Sequence, residues 1–394
     1  MTLEELDKKY VLHTYARDYT NFTYGVGSTL YDESGKDYID FASGIGVNSV
    51  GHGNEKLANA ICEQAKKIIH ISNLQVIEPQ AKLAQKIASL YSDDVGVFFS
   101  NSGAEANEGA IKLARKYGEI NFPKKRYKII TLENSFHGRT LATVKATGQD
   151  SFHPTCFAPY IDGFSYAKTL KDVENALDDE TVAVMIELIK GEGGVAALPK
   201  DEVQHLAKVL KEKNVLLIVD EVQSGVFRSG EFLASQVYGI KPDIITLAKG
   251  LAGGVPIGAI VTPHKDVFVA GDHGSTFGGN YLSTAAGNMA LDILSEIKQS
   301  GQLDETITYF EDKLQTILKE NSDKFEAVTG LGLMRGLKAK SSEIQVKTIK
   351  QSFKEGVIVL KSGNNTVRFL PSLTITKDEI DEGFARLGRA LEKA

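Results

Sequence analysis

The stretch Glu202-Val-Gln-His-Leu-Ala-Lys-Val-Leu-Lys-Glu-Lys213, then Asn214, then Val215-Leu-Leu-Ile-Val219 and Asp220, decides the fold. Val203, Leu206, Ala207 and Leu210 recur at helical spacing and give one apolar face on a charged helix. Val215–Val219 is an unbroken aliphatic run that reads as a strand buried on both faces. The alternation continues in both directions. Upstream, Val95–Phe99 leads through Ser-Asn-Ser-Gly into a helical pattern at Glu105–Tyr117, followed by the runs Tyr127–Leu132 and Val182–Ile186, the latter ending at Glu187. Downstream, Ile244–Leu247 precedes Lys249, and Ile257–Val261 follows a Gly-rich turn. Apolar strands between helices mean a largely parallel sheet covered on both sides, an α/β fold.

After about Gly287 the texture changes. Polar helical patterns at Met289–Lys298 and Asp304–Glu320 lead into Glu326–Lys338, Gly356–Leu360 and Thr366–Leu370, and the chain closes on a helix, Lys377–Lys393. This reads as a separate α+β unit. Tyr31-Asp-Glu-Ser-Gly35 reads as a hairpin turn, and the N-terminal stretch is placed with the C-terminal part. The expected division is 1–48, joining the small domain; 49–286, the large domain; and 287–394, the small α+β domain.

Composition fits a soluble globular protein: 394 residues, 42% hydrophobic, 24% charged, net charge -6. No clustered basic face points to nucleic acid. No run is long and apolar enough to span a membrane, and the charged N-terminus lacks the apolar core of a secretory signal. Cys62 and Cys156 form no CxxC pair and no metal spacing, so two free thiols, no metal site and a cytoplasmic setting are expected.

In open α/β sheets, ligands sit beyond the carboxyl ends of the strands. Three such ends carry unusual polar residues. Ser102, Gly103 and Ala104 open a helix, either as a phosphate cradle of free N–H groups or as a plain cap. The chain has neither GxGxxG nor GxxxxGK[ST], so other phosphate-binding fingerprints are missing. Asp220 ends its strand as a partly desolvated carboxylate that needs a partner: a protonated pyridine nitrogen, or a structural arginine or loop. Lys249, among apolar residues and glycines, is placed either to be desolvated into a nucleophile or simply to lie on the surface. Together the three outline a phosphate cradle, a ring-nitrogen partner and an amine for an aldehyde, in that chain order.

The motifs Asn101-Ser-Gly-Ala-Glu-Ala-Asn107, Ser135-Phe-His-Gly-Arg-Thr140, Gly191-Glu-Gly-Gly194, Asp220-Glu-Val-Gln223, Lys241-Pro-Asp243 with Thr246-Leu-Ala-Lys249, His273-Gly-Ser-Thr-Phe-Gly-Gly-Asn280 and Arg368-Phe-Leu-Pro371 follow one another in this order along the chain. In these the chain resembles the class III, ornithine-type aminotransferases of pyridoxal-phosphate fold type I, across nearly its whole length. The resemblance implies a large, mostly parallel seven-stranded sheet domain with a smaller α+β domain, and pyridoxal 5'-phosphate as cofactor. It implies that Lys249 carries the cofactor covalently and shuttles the proton. Ser102, Gly103 and Ala104 lie at the phosphate, with Thr276 reaching it across a homodimer interface and Ser275 beside it near the substrate. Phe136 stacks on the ring, Asp220 pairs with its nitrogen, Gln223 reaches its phenolic oxygen, and Glu187, Glu221 and Val222 lie close by. Arg139 takes the donor's distal carboxylate and Arg368 the α-carboxylate of glutamate. Glu192 is the gate that pairs with Arg368 when glutamate is absent.

Some positions depart from the family pattern: Leu188 and Lys190 in Glu187-Leu-Ile-Lys190, Asn54 and Glu55 after Gly51-His-Gly53, Gln75, and Tyr281. Lys190 adds a positive charge near the site entrance. They bear on substrate preference. Ornithine-directed relatives tend to place a tyrosine in the segment matching Ser43-Gly-Ile-Gly46, where Ile45 offers no hydroxyl. A small apolar pocket suits an acylated nitrogen better than an ammonium. The expected substrates are therefore N2-acetyl-L-ornithine and 2-oxoglutarate, with ornithine, succinyl-diaminopimelate and 4-aminobutyrate as alternative donors.

Overall fold

The computed structural model describes residues 1–92 and 94–393. Seven strands form one sheet: β1 Gly96–Ser100, β2 Lys128–Leu132, β3 Phe164–Ala167, β4 Thr181–Ile186, β5 Leu216–Asp220, β6 Ile244–Leu247 and β7 Gly258–Thr262. Their order across the sheet is β1-β7-β6-β5-β4-β2-β3. All neighbours pair in parallel except β7, which runs antiparallel to both β6 and β1.

The strand β5 shows why the aliphatic runs settle here. Side chains alternate across a strand. Leu216 and Ile218 join the core of helix α1, Gly103–Ile120, beside Ala106, Ala110 and Ile111. Leu217 and Val219 turn the other way, onto Val203, Leu206 and Leu210 of helix α2, Lys200–Glu212. Each such buried aliphatic side chain is worth roughly 1.5–3 kcal/mol, which outweighs any local preference of so short a segment. The edge strand β3 is the one the apolar runs do not announce. Only Ala167 among its four residues is buried, so no continuous hydrophobic stretch marks it.

Two four-stranded sheets and a two-stranded ribbon, Ile189–Lys190 with Ala196–Ala197, accompany the seven-stranded sheet. Phe22–Val26, Thr29–Asp32 and Asp37–Asp40 form a meander, and Val357–Ile358 adds to its edge in parallel. The hairpin expected around Tyr31–Gly35 is present. The Asp32 carboxylate accepts the Ser34 and Lys36 N–H groups, at 2.9 and 3.0 Å, and closes the turn. The first and last parts of the chain thus share a sheet. Phe325–Leu331, Met334–Ala339, Thr366–Phe369 and Leu360–Lys361 form the other sheet, all antiparallel. Helix α3, Tyr281–Gln299, starts earlier than the Met289–Lys298 pattern indicates and runs unbroken through position 286. Asn280 caps it by accepting the Ser283 N–H at 2.9 Å. It packs on the helices Glu55–Lys67 and Glu78–Tyr91, which no motif had marked.

Candidate active site

A cavity of about 420 Å³ opens at the carboxyl ends of the parallel strands. Its lining includes Ser102, Gly103 and Ala104 after β1, Phe136 and Arg139 after β2, and Glu187 after β4. Asp220, Val222 and Gln223 line it after β5, and Lys249 after β6. Residues spread over 147 positions of the chain (249 minus 102) are therefore gathered at one point by strand order alone.

Asp220 forms the most constrained part. Its Oδ2 accepts the Asn107 Nδ2–H and the His137 Nδ1–H, both at 2.8 Å, and its Oδ1 accepts the Val222 N–H at 3.0 Å. Asn107 also donates to the His137 carbonyl at 2.7 Å, so one amide braces both partners. The His137 side chain has no exposed surface, and its Nε2 finds no partner among the described residues. Neither Asn107 nor His137 is among the expected site residues. Both lie inside the quoted motifs, and that position was the available signal.

Lys249 begins a short 3-10 turn and holds a left-handed φ of 44°. Such a conformation costs a non-glycine residue roughly 1–3 kcal/mol. The surrounding apolar residues of the turn, Leu251 and Ala252, are buried and hold it in place. Its side chain lines the cavity. Burial lowers its pKa, against the pull of the Asp220 carboxylate; Arg368 adds to the lowering, and Glu192 and Glu187 oppose it. The result is an amine more readily neutral than an ordinary lysine.

At the opposite wall, α1 points its N-terminus into the cavity. Ser102 caps it, accepting the Glu105 N–H at 3.2 Å. The N–H groups of Gly103 and Ala104 belong to the first turn, where no helical carbonyl reaches them. A side chain at Gly103 would come within 2.7 Å of Val222 Cγ1, so only glycine lets the two segments meet there.

Glu187 ties two loops together. It accepts the Phe136 N–H at 2.9 Å and the Gly191 N–H at 3.1 Å. Burial pushes its carboxyl up to about 7; His137 opposes this, and Asp220 adds to it. Arg368 lies on the second antiparallel sheet and is almost fully buried. Its Nη1 donates to Glu192 Oε1 at 2.6 Å, to the Gly191 carbonyl at 3.1 Å and to Gln223 Oε1 at 3.2 Å.

Five expected residues are off the lining: Arg368 and Glu192, of which Arg368 bonds the lining residue Gln223, and Glu221, Ser275 and Thr276. Glu221 is fully buried, but its carboxylate turns away from the cavity and accepts the Ala234 and Ser235 N–H groups at 2.7 and 2.8 Å. Ser275 is outside the lining, with its Oγ accepting from Asn101 Nδ2 at 3.0 Å. Thr276 is exposed and touches no part of this cavity. Lys190 also stays off the lining. It donates to the Glu133 carbonyl at 3.1 Å, and burial lowers its pKa.

The family model described as aminotransferase class-III matches residues 13–391. The chain belongs to the class-III aminotransferases. It is 59% identical over 390 residues to a protein of Wolinella succinogenes named acetylornithine aminotransferase, covering 99% of each chain. The ornithine aminotransferase of Toxoplasma gondii is similar in structure, with a TM-score of 0.93 and 30% identity over 100% of this chain and 96% of that one. The N-acetylornithine aminotransferase of Stenotrophomonas maltophilia superposes at a TM-score of 0.83, with 31% identity over 99% of each. The expected fold, that of these aminotransferases, is therefore the fold observed.

Pyridoxal phosphate is the cofactor of class-III aminotransferases, and the residues present suit it. A helix N-terminus offers free N–H groups for a phosphate. A braced, buried carboxylate faces the same space as a ring nitrogen would, and a lysine of lowered basicity supplies the amine.

Proposed function

We propose that this chain transfers the δ-amino group of N2-acetyl-L-ornithine to 2-oxoglutarate, giving N-acetyl-L-glutamate 5-semialdehyde and L-glutamate. The observation that carries it is the shared cavity of Lys249, Asp220 and the α1 N-terminus. The high identity to a relative bearing the acetylornithine name supports this donor.

Pyridoxal phosphate supplies an aldehyde for amines and a ring that accepts the electron pair released at the substrate carbon. The chain's own residues do the rest. Gly103 and Ala104 bind the phosphate through backbone N–H groups, with Ser102 fixing the turn. Phe136 presents its face to the ring. Asp220, oriented by Asn107 and His137, would hold a proton on the ring nitrogen, and Gln223 would serve the phenolic oxygen. Val222 and Glu187 close the walls, and Glu221 fixes the strand end through its bonds to Ala234 and Ser235. Lys249 Nζ takes and returns one proton at the amine-bearing carbon.

Arg139 binds the donor's carboxylate in a bidentate fork. Arg368 waits in its pair with Glu192 and takes the α-carboxylate of glutamate or 2-oxoglutarate once Glu192 swings away. One pocket thereby serves two substrates of different charge. Thr276, with Ser275 beside it, completes the phosphate site of a second copy in a homodimer. Leu74 and Val76, 89% and 88% exposed, and Phe277, 61% exposed, support that interface. Residues 1–48 with 287–394 form the small domain and 49–286 the large one, in keeping with the shared sheet of Asp37–Asp40 and Val357–Ile358. No helix of the described residues is long and apolar enough to cross a membrane; the proposed setting is the cytoplasm.

The test is steady-state transamination with purified, cofactor-loaded protein and a panel of amines. Acetylornithine is expected to give the highest kcat/KM. Faster turnover of free ornithine or 4-aminobutyrate would reject the donor, and no amino transfer to 2-oxoglutarate would reject the reaction.

A further inference from the structure

Arg139 is exposed and, among the described residues, pairs with no carboxylate. Its guanidinium carbon instead lies 4.2 Å from the ring centroid of Phe152 and 5.7 Å from that of Phe136. The two rings meet edge to face, 5.6 Å apart at 66°. An acidic partner would occupy the in-plane N–H fork of the arginine. A ring takes the guanidinium by its flat face and leaves the fork free.

Phe152 is itself held still. It closes the 3-10 turn Asp150–Phe152, donating its N–H to the Gln149 carbonyl at 3.0 Å. Gln149 Nε2 donates to the Ser135 carbonyl at 2.9 Å, and His153 Nε2 donates to the Val144 carbonyl at 2.8 Å. The ring is thus anchored to the same loop that carries Phe136 and Arg139. It does not line the cavity, but it touches two residues that do.

We infer that Phe152 is a positioning residue for the donor half-reaction: it pre-orients Arg139 so that all its in-plane donors face a substrate carboxylate. This rests on the reading of Arg139 as the donor-carboxylate site. Two substrates use different arginines in that reading, so the effect should fall on one substrate only.

The experiment compares Phe152→Leu, Phe152→Tyr and Arg139→Gln in the cofactor-loaded enzyme. Calorimetric binding of N-acetylnorvaline, which keeps the carboxylate and lacks the reacting amine, gives a readout apart from turnover. Phe152→Leu is expected to weaken that binding and raise the acetylornithine KM about 3- to 10-fold. The 2-oxoglutarate KM and the Tm should stay near wild type, and Phe152→Tyr should behave as wild type. Unchanged N-acetylnorvaline binding in Phe152→Leu overturns the inference, as does an equal rise of both KM values with a lower Tm. If Phe152→Leu does not fold, a pentafluorinated ring at Phe152 keeps the shape and reverses the charge of the face. It should weaken N-acetylnorvaline binding, and unchanged binding overturns the inference. Unchanged binding in Arg139→Gln would instead overturn the reading of Arg139.

Discussion

The floor of the cavity and its rim are built on opposite plans. On the floor, Asp220 accepts three hydrogen bonds from groups that are themselves buried or braced, and His137 has no exposed surface. At the rim, Arg139 is exposed and stacked on a ring, and Arg368 is paired with a Glu192 that keeps 32% of its side chain in solvent. A buried network holds one geometry because any other leaves polar groups unpaired. The pair of Arg368 and Glu192 is buried on the arginine side and open on the carboxylate side, so Glu192 can leave for water while Arg368 keeps the Gly191 and Gln223 oxygens. The difference teaches where each task lies: bond chemistry in the fixed part, substrate choice in the exchangeable part.

That division can be broken by experiment. Lys249→Ala should have the largest effect, lowering kcat at least about 10⁴-fold with either substrate, since no other group replaces a covalent amine. Retained turnover above that level would remove Lys249 from the chemistry. Next, Asp220→Asn should cost about 10²–10³-fold in kcat by losing the charge opposite the ring nitrogen. Asn107→Ala should follow with a loss of roughly 10-fold, again for both substrates. A floor variant that changed one KM and left kcat alone would contradict the division.

At the rim, Arg368→Lys loses the planar fork and should raise the 2-oxoglutarate KM about 10- to 50-fold while the acetylornithine KM moves less than about 3-fold. Equal shifts in both constants would show that the rim is not divided between substrates. The smallest effect concerns Glu187, where fixed and exchangeable parts meet. Its carboxyl, ordinarily at 4.5, is held at about 7 in the folded protein. Between those values the unfolded chain releases the proton first, so the folded state binds more protons and stability falls as pH rises. Cofactor-free protein should lose about 1–3 kcal/mol over that window through this group, and Glu187→Gln should flatten the slope in urea unfolding. Equal slopes would place its titration elsewhere.

Much of this was legible in the sequence, for physical reasons. The β4 and β5 runs are continuous because both faces are covered, so apolarity and strand coincide. The residues just past the strand ends could be read as a site because strand ends converge. What escaped were features that depend on contacts distant in sequence. Asp220 and His137 are 83 positions apart, and nothing local announces their hydrogen bond. Glu221 sits beside Asp220 in the same motif yet faces the opposite way, because successive side chains leave a strand end on opposite sides. The first turns of α3, Tyr281-Leu-Ser-Thr-Ala-Ala-Gly-Asn288, are small and polar and resemble a loop, and only the Asn280 cap marks them as helix.

The reversed strand β7 has one more consequence. Because it runs against its neighbours, its entrance at Gly258 lies on the same edge as the exit of β6 at Leu247. The intervening Ala248–Ile257 loop is fastened to the sheet at both ends, and a side chain at Gly258 would strike the Ser102 carbonyl. A loop so tethered leaves no slack for insertions. Variants aimed at new amines are better sought by substitution at Arg139 and Phe152, which lie outside that loop.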